Sequence, residues 1–267
     1  HLYHLKKTRE NGATHIVAVM SGNYVQRGDT AVMDKFERAK LAVKGGADLV
    51  IEIPTVYALS SAEFYAKGAI YILDSLGCVD EISFGSEAGS VSELEKAAEI
   101  ADECSGAPEL EEYLKSGMSY PNAINTMIYS SYGKKLSNRI SDILASPNNV
   151  LAVEYLKALR RLNSSITPFT IQRKSAAHDS MTVLDGISSA SYIRKCMNEK
   201  SDFSGLVPAY VSQAYINAYS AGKTADISNL ERIIIYKLRT SSPEELREIP
   251  DVGQGLEYRI LAAADKK

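Results

Sequence analysis

The first residues of the chain, HLYHL, place two histidines three positions apart. On a helix, His1 and His4 share one face. No further metal ligand follows nearby, so we expect no metal site here. A phosphate site at a helix start fits the pair better, because imidazole N–H groups donate hydrogen bonds to phosphate oxygens. The alternative interpretation is a frayed helix end.

A second anion-binding pattern lies at 185–197, in DGISSASYIRKCM. Ser188, Ser189 or Ser191 can cap the helix that follows, and the free N–H groups at such a helix start attract anions. Arg194 lies about one turn further along and adds a forked donor for phosphate. A plain serine-capped helix with a surface arginine remains an equal alternative.

Asparagines open another predicted helix, in the segment SPNN. Ser146 is the predicted N-cap, and Pro147 suits the first helical position. The amide of Asn148 or Asn149 can both donate and accept, which suits a nucleotide base or ribose. The alternative is that both residues are merely tolerated at a helix start.

Polar residues also follow predicted strands. Gly85, in FGSE, either makes a turn or lets a ligand approach the backbone closely. Arg173, at the end of SITPFTIQR, is the type of residue that binds phosphate or carboxylate. His178 and Asp179 form either a titrating pair or a surface pair.

A further polar segment, QRGDTAVMDK, precedes a predicted helix. It carries Arg27, Asp34 and Lys35, and we interpret it as a lid that contacts phosphates.

These residues need elements to position them. Short Val/Ile-rich runs predict buried parallel strands at 15–22, 47–54, 79–87 and 165–173. Helical periodicity predicts helices at 34–46, 61–77, 91–136 (broken at Gly117 and Pro121) and 147–162. Alternating strands and helices predict an α/β fold with a Rossmann-like, doubly wound parallel sheet. Ligands of such sheets bind beyond the carboxyl ends of the strands. We expect an α/β domain at 1–197 and a helical C-terminal domain at 198–267.

Composition narrows the class of protein. The 267 residues carry a net charge of −3, which argues against a dedicated nucleic-acid binder. Three scattered cysteines fit a reducing compartment and predict neither disulfides nor a zinc site. No apolar run approaches the length of a membrane span, so we expect a cytoplasmic protein without a membrane partner.

Several motifs, in order, resemble one known family: HLYHL, VAVMSGNYVQRGD, DKFERAKLAVKGGADLVIEIP, FGSE, SPNN, HD, ISSASYIRK and DVGQGLEYRI. This pattern resembles the bacterial tRNA(Met) cytidine acetate ligase family, a branch of the HIGH-motif nucleotidyltransferase superfamily. His1 aligns with the second histidine of the His-x-Gly-His motif. The resemblance therefore implies a preceding strand, histidine and glycine, and a further C-terminal portion, so we expect a chain truncated at both ends.

The resemblance implies a function in two steps. Acetate attacks the α-phosphate of ATP, accompanied by Mg²⁺, to give acetyl-adenylate and pyrophosphate. The acetyl group then passes to N4 of the wobble cytidine of elongator tRNA(Met). The residues that match ATP-binding or catalytic positions of the family are His1, His4, Lys35, Gly85, Asn148, Arg173, Ser188, Ser189 and Arg194.

Two other functions remain open. One is a nucleotidyltransferase that adenylylates a small phosphorylated metabolite. The other is a nucleotide-binding or RNA-binding module that has lost catalysis.

Overall fold

The computed structural model describes residues 1–173, 188–199, 201–249, 252–253 and 255–266. The first elements are α1 (Leu2–Glu10), β1 (Val17–Ser21), β2 (Tyr24–Val25), β3 (Asp29–Thr30), α2 (Lys35–Lys44), β4 (Leu49–Ile53), α3 (Thr55–Ala58), α4 (Ala62–Ser75) and β5 (Glu81–Ser86). The middle elements are α5 (Val91–Gly106), α6 (Glu109–Lys115), α7 (Tyr120–Leu144), α8 (Pro147–Arg161), β6 (Thr167–Gln172) and α9 (Ala190–Asn198). The last are α10 (Ala209–Ser220), α11 (Glu231–Thr240), α12 (Pro243–Arg247) and α13 (Leu256–Asp265).

The long strands pair in parallel, which confirms the predicted α/β class. β1 pairs with β4, and β5 pairs with β6, so that Ser86 lies opposite Gln172 at the end of its strand. Within the described residues these are two separate pairs rather than one continuous ladder. β1 is half-buried along its whole length instead of buried as expected. The short antiparallel ribbon of β2 and β3 was not predicted.

The main hydrophobic core lies between the β5–β6 pair and helices α4, α5, α7 and α8. Strand β5 alternates between buried and half-buried residues, with Ile82 and Phe84 facing this core. Leu94 of α5 and Val153 of α8 are almost completely buried there. Each fully buried aliphatic side chain of this kind contributes about 1.5–3 kcal/mol. This packing fixes the N-terminal end of α8 beside the carboxyl end of β5.

The predicted helical stretch 91–136 consists of three helices and extends further, to Leu144. Gly117 lies between α6 and α7, as expected for a break. Pro121 instead stands in the first turn of α7, where its missing N–H is not needed. Gly133 interrupts α7 with φ of 77°, a left-handed conformation that glycine adopts at little cost.

A second hydrophobic cluster joins the segment after β3 to α9 and the helical tail. Its buried members are Met33, Cys196, Met197, Phe203, Tyr215 and Ala218. These residues come from both sides of the expected boundary at 197/198, and that division stays a prediction. Among the described residues, no helix is both long and apolar enough to cross a membrane.

Candidate functional site

Helix α1 is anchored on the half-buried face of β5. His4 Nε2 lies 3.0 Å from Ser83 Oγ, and the Thr8 hydroxyl donates to the same oxygen at 2.9 Å. Burial lowers the pKa of His4, contact with Ser83 opposes this, and the positive charge of Arg173 lowers the pKa further. His4 is therefore a neutral imidazole near neutral pH.

Gly85 and Arg173 meet at the carboxyl end of the β5–β6 pair. Gly85 lies inside β5, opposite Ile171, so the alternative that it makes a turn is wrong. The Arg173 N–H donates to Ser86 O at 2.9 Å and extends the strand pairing. A Cβ atom at Gly85 would lie 3.5 Å from Arg173 Cγ. The glycine thus leaves space over the strand end, on the side where Arg173 lies.

Glu87 is the central residue of this site, and the sequence analysis did not single it out. Its Oε1 accepts from Asn148 Nδ2 at 2.6 Å, and its Oε2 accepts from the Asn149 N–H at 3.0 Å. Arg173 Nε lies 3.9 Å from Oε1 of the same carboxylate. One carboxylate therefore holds Asn148 and Arg173 side by side.

The cap of α8 also differs from the prediction. Ser146 occupies the N-cap position, but its side chain makes no capping bond. The Glu87 carboxylate supplies that bond from a distant segment, and its negative charge suits a helix N-terminus. Asn149 is buried and returns the contact, since its Oδ1 accepts from the N–H groups of Glu87 and Ala88 at 2.9 and 3.0 Å. Asn149 is thus structural, and the assignment of Asn148 to a ligand stays a prediction.

A groove lies between α1 and β6 next to these residues. Its volume is about 370 Å³. The residues that line it include Tyr3, Lys7, Phe169, Ile171 and Arg173. This volume is in the range of small-molecule sites. Thr170 and Gln172 line it as well, so the groove presents apolar, polar and cationic side chains.

His1 lies at the N-cap position of α1, with no side-chain capping bond. The start of α1 lies near Arg173. The structure therefore brings His1, His4, Gly85, Asn148 and Arg173 together. Their roles as ligand-binding residues stay predictions.

Lys35 belongs to a different strand end. Asp34 caps α2 by accepting from the N–H groups of Phe36 and Glu37 at 2.9 and 3.1 Å. Lys35 Nζ lies 2.5 Å from Glu52 Oε2, near the end of β4. Its contacts among the described residues thus run to the β1–β4 pair.

The serine-rich segment before α9 forms a third group. Ser189 caps α9 by accepting from the Tyr192 N–H at 3.1 Å. Burial lowers the pKa of Arg194, and the nearby Arg27 charge lowers it further, while Asp29 acts in the opposite direction. Arg194 is thus placed with the β2–β3 ribbon. His178 and Asp179 lie outside the described residues.

Comparisons with known proteins identify the family. The family model described as HIGH Nucleotidyl Transferase matches residues 1–267. A tRNA(Met) cytidine acetate ligase of Thermoanaerobacter sp. (strain X514) is 43% identical over all of this chain and 67% of its own length. The Acetivibrio thermocellus enzyme of the same name is 40% identical over 99% of this chain and 66% of its own.

Solved structures agree with these relatives. The apo structure of Thermotoga maritima TmcAL matches with a TM-score of 0.89 at 31% identity, over all of this chain and 65% of that one. A second structure of the same protein, bound with alpha-thio ATP, matches with a TM-score of 0.87. The chain spans about two thirds of the length of these relatives. It belongs to the HIGH nucleotidyltransferase family, in its branch of tRNA(Met) cytidine acetate ligases.

Proposed function

We propose that this chain carries the ATP-binding and acetate-activating part of a tRNA(Met) cytidine acetate ligase. Its substrates are ATP, acetate and elongator tRNA(Met), and we place the reaction in the cytoplasm with its tRNA. The relatives' names and the alpha-thio ATP complex support the chemistry.

One observation carries the proposal for the site. His4, Gly85, Asn148 and Arg173 come from four separate segments and converge at the carboxyl end of the β5–β6 pair. This is the edge where ligands bind in parallel sheets. The neighbouring groove is lined by Arg173 as well, so one ligand can contact both.

In the first step, an acetate oxygen attacks the α-phosphorus of ATP. The new P–O bond forms as the bond to the pyrophosphate oxygen breaks, and the electron pair leaves with pyrophosphate. No protein nucleophile is needed, so the chain acts by positioning and by electrostatic stabilisation. We assign the nucleotide phosphates to His1, His4 and Arg173, and the ribose or base to Asn148 above the open strand end at Gly85.

The remaining predicted residues act on the leaving group. The N-terminus of α9, with Ser188 and Ser189, presents N–H and hydroxyl donors, and Arg194 adds a guanidinium. We assign Lys35 to the phosphates of the leaving pyrophosphate. To bind them, its ammonium group would have to leave Glu52.

Mg²⁺ enters this proposal with the nucleotide. Within the described ranges, His, Cys, Asp and Glu side chains form no cluster of three or more. That fits a cation held mainly by phosphate oxygens and water, whose positive charge offsets the charge of the phosphates.

In the second step, N4 of the wobble cytidine attacks the acetyl carbon of the adenylate. The new C–N bond forms, AMP leaves, and N4 loses a proton.

Acetate-dependent exchange of labelled pyrophosphate into ATP tests the first step. The Arg173→Ala variant should weaken ATP binding about tenfold or more, because a charge-assisted bond is lost. Arg139→Ala is the matched control, since Arg139 is exposed and pairs with Glu93 elsewhere.

In the exchange assay, exchange that ignores acetate but requires a phosphomonoester would instead support adenylylation of a metabolite. ATP binding without any exchange would indicate a binding module.

A further inference from the structure

The β2–β3 ribbon carries an arginine at its tip. The Gly28 N–H donates to Val25 O at 3.0 Å, and Gly28 has φ of 73°. A three-residue hairpin loop of this kind needs a residue in the left-handed conformation, which glycine supplies. The turn therefore fixes the point where Arg27 leaves the ribbon.

Two guanidinium groups converge on one hydroxyl oxygen. Arg27 Nη1 donates to Ser191 Oγ at 3.2 Å, and Arg194 Nη2 donates to the same atom at 3.3 Å. Within the described part of the chain, neither arginine forms an ion pair with a carboxylate. Two like charges held this close repel one another. Asp29 offsets part of this repulsion at Arg194, and an anion between the two arginines would offset more of it.

The surrounding polar groups also offer donors. Ser191 Oγ already accepts two hydrogen bonds, so its own hydrogen is free to donate. Ser188 Oγ and Thr30 Oγ1 are buried side-chain atoms with no hydrogen-bond partner among the described residues. Buried hydroxyls in folded proteins nearly always have a partner. A ligand with several acceptor oxygens beside Ser191 would accept from its hydroxyl and from both arginines.

We propose that Arg27 is a second anion-binding arginine, which acts with Arg194 on the pyrophosphate released from ATP. The identity of the anion rests on the function proposed above. As the α-phosphate bond breaks, negative charge grows on the leaving oxygen, and the two guanidiniums donate hydrogen bonds to it. The ribbon thus takes part in the first chemical step.

Calorimetry with inorganic pyrophosphate alone tests this assignment. Arg27→Ala should weaken pyrophosphate binding about tenfold or more. Arg27→Lys keeps the charge without the fork and should fall between this variant and the unaltered protein. Arg139→Ala, the exposed control on α7, should bind within about twofold of the unaltered protein.

Thermal unfolding separates ligand binding from a structural role. Without pyrophosphate, Arg27→Ala should melt no lower than the unaltered protein, because one of two repelling charges is gone. With pyrophosphate, its rise in melting temperature should be smaller. Unchanged pyrophosphate affinity would overturn the proposal. A lower melting temperature without pyrophosphate would also overturn it, because that result indicates a structural role for Arg27. Should Arg27→Ala fail to fold, Arg27→Gln decides the question by the same two measurements.

The exchange assay distinguishes this inference from the proposed function. Pyrophosphate binding that depends on Arg27, without acetate-dependent exchange, refutes the ligase function and leaves the arginine pair as an anion site. If acetate-dependent exchange is normal in Arg27→Ala, only the proposed role of Arg27 is refuted, and the ligase function stands.

Discussion

Glu87 connects the fold to the candidate site, so Glu87→Ala is the most informative single substitution. The change removes the hydrogen bonds from Asn148 Nδ2 and from the Asn149 N–H at the start of α8. A lost helix cap costs about 0.5–2 kcal/mol, and a hydrogen bond to a charged group contributes about 1.5–3 kcal/mol. Because the Glu87 side chain is 27% exposed, water replaces part of the lost hydrogen bonding. We therefore expect about 2 kcal/mol of destabilisation in total.

The assay is thermal unfolding together with ATP calorimetry. A loss of about 2 kcal/mol in a chain of 267 residues lowers the melting temperature by about 4 °C. Asn148 and Arg173 also lose their common partner and must be ordered by the ligand instead. Ordering each side chain costs about 0.5–1.5 kcal/mol, so ATP affinity should fall about tenfold or more.

Glu111→Ala is the matched control, because its carboxylate is 73% exposed and, among the described residues, its ion pair is with Lys115 on the surface of α6. It should change stability by less than about 0.5 kcal/mol and leave ATP binding unchanged. If Glu87→Ala behaves like this control in both measurements, the carboxylate does not organise the site and the reasoning is refuted.

Three further predictions test other parts of the structure by thermal unfolding. The pKa of His4 is held below its ordinary value of 6.5, so the unfolded chain binds the proton first as the pH falls. The free energy of unfolding should therefore decline as the pH falls from 6.5 through the lowered pKa of His4. In His4→Gln this part of the decline should be absent. Equal pH profiles for the two proteins would contradict the prediction. Leu94→Ala, at a fully buried position, should cost about 2–5 kcal/mol; a loss below 1 kcal/mol would contradict the core packing. Gly133→Ala should destabilise the fold by about 1 kcal/mol, because φ of 77° is unfavourable for alanine. Gly106→Ala, at the end of α5, is the control and should be neutral or stabilising. The reverse order would be inconsistent with the kink at Gly133.

The sequence predicted the local features of this fold well. The four long strands and the helices predicted at 34–46, 61–77 and 147–162 agree with the structure within two residues at each end, because periodicity and glycine or proline stops are local signals. The stretch predicted to end at 136 instead continues to Leu144. Ordered motifs such as FGSE and SPNN were enough to identify the family. The placement of Gly85, Asn148 and Arg173 at one edge followed from the rule for parallel strands.

The missing features depend on contacts between distant segments. Glu87 and Asn149 are 62 positions apart, so their reciprocal hydrogen bonds have no signature in either segment. Ser146 looked like a cap because local chemistry could not show that a distant carboxylate takes that role. The contact between Arg27 and Ser191 likewise spans 164 positions. Gly133 was missed because a single glycine inside a helical pattern does not show whether the helix kinks.

The central claim is that one nucleotide site lies at the carboxyl end of the β5–β6 pair. A crystal structure with a non-hydrolysable ATP analogue tests it most directly. The account predicts density for the nucleotide beside the N-terminus of α1, within hydrogen-bonding distance of Asn148 and Arg173 and in contact with Gly85. Density confined to the β1–β4 end, beside Lys35 and Glu52, would contradict it.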